Sequence, residues 1–216
     1  MNDTERFQQI SKFIKIAKKD GIQYLSDALT VAEGIEDPDD KPSYIAIIAA
    51  HLAKLGSIPD IDRALQLSRK TRPIDQLEFV LPGVFFRLIS ENEIQRALDV
   101  LREMETAATE IESLDYDYSI KSTFWQEIGD RYKSIGMIEK ARAMWLNSIK
   151  MAQVGQNSFN NIQDSVDSFK ALRSLSLALL DAGYYQDALA TANTIVHSGY
   201  KEEVLKKIKE HQNQAK

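Results

Sequence analysis

Among side chains that titrate near neutral pH the chain has three histidines and no cysteine, and the histidines do not gather. His51 is flanked by Ala49, Ala50 and Leu52, and positions 47, 48, 54 and 55, one helical turn away, hold Ile, Ile, Lys and Leu. A metal or a general base there needs a second imidazole or a carboxylate within reach, and the sequence supplies neither. His197 and His211 fall near expected helix C-termini, where a cation is mildly favoured. The loop Glu36-Asp37-Pro38-Asp39-Asp40 is rich in carboxylates but lacks the alternating ligands, central Gly and closing Glu of a calcium loop. Its Asp residues read instead as helix caps on a solvated loop. Glu103, Glu105, Glu110, Glu112, Asp115 and Asp117 form an acidic run that reads as a solvated face, with a basic partner patch as the functional alternative. No nucleophile elbow, phosphate loop, dinucleotide fingerprint or zinc-peptidase motif occurs. The expectation is a protein that is not an enzyme and has no catalytic residues, no metal and no cofactor.

The elements that would have to position such residues are helices. Of 216 residues, 44% are apolar and 27% charged, as in an ordinary soluble protein, and only five Pro and nine Gly punctuate them. Such scarcity favours long helices over a turn-rich β fold. The formal charge of −5 argues against nucleic acid as the main partner. No window approaches the length of apolar residues that spans a bilayer, and Met1 to Phe13 has no signal-peptide core, so no membrane partner and a cytoplasmic location are expected. Oligomeric state is not legible.

One element recurs along the chain: an amphipathic run, a Gly or Asn, and an Ala that opens a second amphipathic run. Its clearest copies are Asn92 to Ala97, Gly136 to Ala141 and Gly183 to Ala188; Gly21 to Ala28 and Gly56 to Ala64 are looser. Gly, or Asn as second best, ends a helix in the left-handed conformation, and the small Ala lets the next helix approach closely. Apolar stripes at helical spacing accompany it: Ile94, Ala97, Leu101, Met104, Ala108 and Ile111; Ile120, Phe124, Ile128, Tyr132 and Ile135; Ile138, Ala141, Trp145, Ile149 and Ala152; Ile162, Val166, Phe169, Leu172, Ser176 and Leu179. The pattern predicts helices over 4–19, 23–35, 42–55, 60–71, 74–90, 93–112, 116–135, 138–154, 159–182, 185–197 and 201–213. Pro82-Gly83 should kink or restart the fifth of them. Phe85, Phe86, Trp125 and Trp145 read as core side chains.

Within 125–148, Trp125, Ile128, Gly129, Tyr132, Gly136, Ala141, Trp145 and Ser148 stand at the spacing of a tetratricopeptide repeat (TPR). The chain therefore resembles a TPR-like α-helical solenoid, with one well-matched repeat and divergent neighbours; Phe85 breaks the small-residue rule in one of them. The resemblance implies an all-α, right-handed α-α superhelix forming a single domain over 1–216. Its five antiparallel hairpins would lie near 4–35, 42–71, 74–112, 116–154 and 159–197, with a capping helix over 201–213. It further implies a protein or peptide partner held in a concave groove lined by the first helix of each hairpin. Mapped from the 125–148 unit, the groove candidates are Thr123, Gln126, Asp130 and Lys133, then Lys170, Arg173 and Leu177. The Asn and Lys/Arg set with which some TPR proteins clamp a C-terminal carboxylate is missing from these positions, while Lys170 and Arg173 could pair an acidic segment. The implied function is a scaffold or adaptor; a dedicated chaperone or assembly factor for one client is the alternative, and an all-α enzyme or ligand-sensing regulator a lesser one.

Overall fold

A computed structural model describes residues 1–114, 116–157 and 162–214, and among them all regular structure is helical. In chain order the elements are α1 (Asp3–Asp20), α2 (Tyr24–Glu33), α3 (Asp40–Leu55), α4 (Ile58–Ser68), a single turn α5 (Pro73–Asp75), a π-helical segment Gln76–Val80, and α6 (Leu81–Ser90). There follow α7 (Ile94–Glu112), α8 (Tyr118–Ser134), α9 (Ile138–Gln156), α10 (Ile162–Asp181), α11 (Tyr185–Thr194) and α12 (Ser198–Gln214). The helices expected from periodicity are present to within a few residues at each end. The expected start at 159–161, the Ile162 side chain and Asp115 lie outside the described residues. The helix expected over 74–90 is not one regular α-helix. Pro82 has no N–H to give and its ring crowds the preceding turn. The backbone widens ahead of it, with the Leu81 N–H reaching back to the Gln76 carbonyl, five residues earlier.

The helix ends follow from local chemistry. Asn92, Gly136 and Gly183 carry φ of 60°, 79° and 86°. In each case the next residue's N–H closes on a carbonyl five back: Glu93 on Leu88 (2.9 Å), Met137 on Tyr132 (2.9 Å) and Tyr184 on Leu179 (2.8 Å). These are left-handed caps with the doubled hydrogen bonds of the Schellman type. Gly56 ends its helix otherwise, with φ −88° and ψ 179°; glycine is needed there for room, since a Cβ would stand 2.3 Å from the Asp60 Cβ. At the chain's start Asn2 and Glu5 cap α1 reciprocally, at 2.9 Å in both directions.

Contacts group the chain into two compact units, Met1–Glu110 and Ile111–Lys216. In the first unit α1 packs on α2 and α3 on α4, while α3 also touches α1, the π segment and α6. Its core holds Ile10, Leu25, Ile48, Leu52, Ile61, Leu77, Leu81, Phe85 and Leu88. Each such apolar side chain contributes about 1.5–3 kcal/mol by leaving water. A half-buried polar knot fastens α3 to the turn before the π segment: the buried Asp75 carboxylate accepts from Ser43 Oγ (2.9 Å) and Arg72 Nε (2.8 Å). The α4 and α7 helices are linked by the ion pairs Arg69–Glu103 and Arg96–Asp62.

In the second unit α8 packs on α9, α10 on α9 and α11, and α12 on α10 and α11. Gly129 lets α8 and α9 close on each other, because a Cβ there would stand 2.6 Å from the Trp145 indole. The same two helices share a buried serine pair: Ser148 Oγ donates to the Ser122 carbonyl (2.7 Å), and Ser122 Oγ lies 2.9 Å from Ser148 Oγ. The core-facing stripe of α8 is Trp125, Ile128, Gly129 and Tyr132, whereas Ile120 and Phe124, expected in it, are half-buried. Of the α7 stripe, Ile94 is likewise 43% exposed and the rest buried.

Candidate partner-binding surface

Thr123, Gln126, Asp130 and Lys133 recur at three- and four-residue steps along α8, so they share one face. Lys170, Arg173 and Leu177 do the same on α10. Most of their polar groups are already occupied. Gln126 Nε2 donates to Ser174 Oγ on α10 at 3.0 Å. Asp130 Oδ1 accepts from Trp145 Nε1 at 2.9 Å. Desolvation against the indole raises the Asp130 carboxyl, and the Trp145 hydrogen bond together with the Lys133 and Arg131 charges opposes this. The residue as a whole is open to solvent, so screening limits the effect. Lys133 Nζ hangs over the Trp145 ring, 5.8 Å from its centroid.

On α10, Lys170 pairs with Asp167 at 2.9 Å. Arg173 grips Glu203 of α12 with two N–H groups, one at 2.8 Å. That grip holds the Glu203 carboxyl below its ordinary range and raises the guanidinium. Arg173 therefore ties α10 to α12. Leu177 is half-buried and borders a cleft of about 250 Å³ whose other walls are Leu180, Asp181, Lys207, Glu210 and His211. Thr123 is exposed and bonds the Ser119 carbonyl of its own helix at 2.8 Å. This face is thus continuous across α8, α10 and α12, but it is largely internally paired.

A second surface, in the first unit, is built differently. A cleft of about 600 Å³ crosses α1, α3 and α6, bordered by Lys18, His51, Lys54, Phe79, Gly83, Phe86 and Arg87. Phe86, expected in the core, is 58% exposed; its neighbour Phe85, edge-on to it at 5.5 Å, is fully buried. The helix explains the difference. Val84, Phe85 and Leu88 face inward, and Phe79, Gly83, Phe86 and Ser90 form a second stripe on the other side. His51 also belongs to this cleft. Its Nδ1 lies 2.9 Å from the Ile47 carbonyl. A carbonyl only accepts, so Nδ1 carries the proton and Nε2 is left as the acceptor. Desolvation lowers the His51 pKa and the Lys18 and Lys54 charges lower it further, against the Ile47 hydrogen bond.

The lysines here differ from four of the unit's arginines. Arg6, Arg69, Arg72 and Arg96 each meet a carboxylate. Among the described residues the lysine ion pairs are those of Lys170, Lys206 and Lys207, so Lys12, Lys15, Lys18 and Lys54 meet none. Lys12 and Lys15 border a shallower depression on the same α1 helix, with Phe7, Gln8 and Ser11. The sequence carried a signal for this surface: two adjacent Phe cannot both point into one core from a helix, and Lys12, Lys15 and Lys18 recur at three-residue steps on α1.

Several carboxylates of the acidic loop and the acidic run take part in the fold's own contacts. Asp37 Oδ1 caps α3 through the Asp39 and Asp40 N–H groups at 2.8 and 3.0 Å. In the acidic run Glu103 pairs with Arg69, and Glu112 accepts from Trp125 Nε1 at 2.7 Å. Among the described residues no three His, Asp or Glu stand close enough to share a metal ion, and no helix is long and apolar enough to cross a membrane. No protein-family model matches the chain, and no curated protein matches it.

Proposed function

We propose that this chain is a protein-binding scaffold of TPR-like helical hairpins, taking a peptide or helix of a partner on the face formed by the first helices. The observation that carries the reading is the cleft over α1, α3 and α6, with Phe86 58% exposed in it. Apolar surface gathered in a groove and rimmed by polar residues is a mark of a binding site. In the TPR-like reading α1, α3 and α6 are each the first helix of a hairpin, as are α8 and α10, so both surfaces lie on the side the resemblance assigns to a partner. Thr123, Lys133 and Leu177 are then the groove positions of the second unit with capacity to spare, while Gln126, Asp130, Lys170 and Arg173 hold its shape. A superhelix of stacked hairpins would make each of these faces concave.

A dedicated cytoplasmic chaperone or assembly factor for a single client is the second reading, favoured by the same exposed aromatic, which suits an apolar client segment. The two separate in cells: deleting a chaperone lowers its client's solubility, and deleting an adaptor leaves the client soluble but unassembled. The direct experiment is panning the full-length protein against a displayed peptide library, then repeating it with Phe86→Ser. Selection of a shared peptide motif that Phe86→Ser abolishes supports the reading, and selection that is indifferent to Phe86→Ser counts against it.

A further inference from the structure

Resting on that reading, we infer that the occupant of the α1–α3–α6 cleft is an acidic protein segment anchored by one bulky apolar side chain. Its carboxylates would meet Lys18 and Lys54, and its anchor would sit against Phe79, Gly83 and Phe86.

Charge selects the acidic partner. The chain carries a net −5, yet no carboxylate borders this cleft. Of the cations that border it, Lys18 and Lys54 form no ion pair among the described residues, whereas Arg6, Arg69, Arg72 and Arg96 elsewhere in the unit each meet a carboxylate. Unpaired like charges repel, and a run of them along one face is tolerated at some cost that an anionic partner removes. Arg87 adds a third cation, shared with Glu91 at 2.8 Å.

Gly83 selects the anchor. Its φ is not in the left-handed region, so the backbone does not demand glycine. A Cβ added there would meet nothing within 4 Å, so packing does not demand it either. Glycine in a helix is less favourable than alanine, and the space it leaves opens into the cleft beside the exposed ring of Phe86. The notch takes an apolar side chain, and the lysines take what flanks it. Because Phe86 lies within a concavity crossing three helices, the geometry suits an inserted segment better than a bilayer surface.

The test uses the full-length protein and a fluorescein-labelled peptide, acetylated and amidated, in which glutamates flank a single phenylalanine. Anisotropy is read for this probe, for its Phe→Ala version and for its lysine-for-glutamate version. The protein variants are Lys18→Glu/Lys54→Glu and Gly83→Leu, each checked for unchanged helicity. The expected result is saturable binding of the acidic probe, weakened by added salt. Loss of the anchor, filling of the notch, and charge reversal should each weaken it about tenfold. Equal binding of the lysine version, or equal binding by both protein variants, overturns the proposal. So does displacement of the probe by phosphatidylserine vesicles, which would make the surface a membrane site. Panned peptides that are neutral or basic, yet lost in Gly83→Leu, overturn the acidic chemistry and leave the scaffold reading intact. No selected peptide and no probe binding together overturn both.

Discussion

The same substitution should have opposite effects at two glycines, and the difference can be worked from their surroundings. At Gly129 an added Cβ would stand 2.6 Å from Trp145 Cδ1 and Nε1 and 3.1 Å from the Ala141 carbonyl. Trp145 is fully buried and its Nε1 is committed to Asp130, so the ring has nowhere to retreat without breaking that bond. Overpacking costs about 1–3 kcal/mol, and disturbing the indole hydrogen bond about 1 kcal/mol more. The better helix propensity of alanine returns about 1 kcal/mol. Gly129→Ala should therefore destabilise the second unit by about 1–3 kcal/mol. At Gly83 the Cβ meets nothing, so only the propensity gain remains, and Gly83→Ala should stabilise by about 0.5–1 kcal/mol. Urea unfolding of both variants beside the wild type, with the slope unchanged, reads the two signs in one experiment. A neutral or stabilising Gly129→Ala would mean that α8 and α9 do not approach through that glycine, and a destabilising Gly83→Ala would mean that the notch is not open.

Three further outcomes follow from the structure. Asp75→Ala removes the buried acceptor shared by the half-buried Ser43 and Arg72, so urea unfolding should show a loss of about 1–2 kcal/mol. His51 has a folded-state pKa below its ordinary value near 6.5. The unfolded chain therefore takes up the proton first, and the stability His51 contributes is complete above about pH 6.5 and is lost as pH falls through the gap. Between about pH 7.5 and about pH 5.5 the melting temperature should drop less in His51→Gln than in the wild type, and equal drops would mean that His51 is not desolvated in the cleft. Arg173→Glu places two acidic groups face to face at Glu203, so amide exchange in α12 should accelerate while α8 and α9 keep their protection; unchanged exchange in α12 would deny that Arg173 fastens it.

Helices and their ends were legible because they are decided locally. Apolar spacing sets the buried stripe, and a Gly or Asn five residues before an Ala sets the cap, as the positive φ of Asn92, Gly136 and Gly183 bears out. The π segment was only half legible: Pro82 announces a disturbance, but how the backbone absorbs it depends on the packing of Leu77, Val80 and Leu81. Side-chain roles across helices were less accessible still. Arg173 and Gln126 could be placed on their helices by spacing, yet only tertiary structure brings Glu203 and Ser174 within their reach. Phe86 was misread as core because hydrophobicity alone does not say which of two adjacent aromatics turns outward. The α1–α3–α6 cleft is assembled from residues as far apart in sequence as Lys18 and Ser90, so the adjacent Phe pair and the lysine spacing on α1 mark its edges without showing that they meet.

The central claim, that the first-helix face binds a partner segment, is tested most directly by amide chemical-shift mapping of the full-length protein with a peptide obtained by panning. Changes should concentrate at residues 12–18, 50–54 and 79–90, or at 123–133 and 170–177 if the second unit's face is used. Changes confined to the second helices, at 24–33, 58–68 or 138–156, would contradict it.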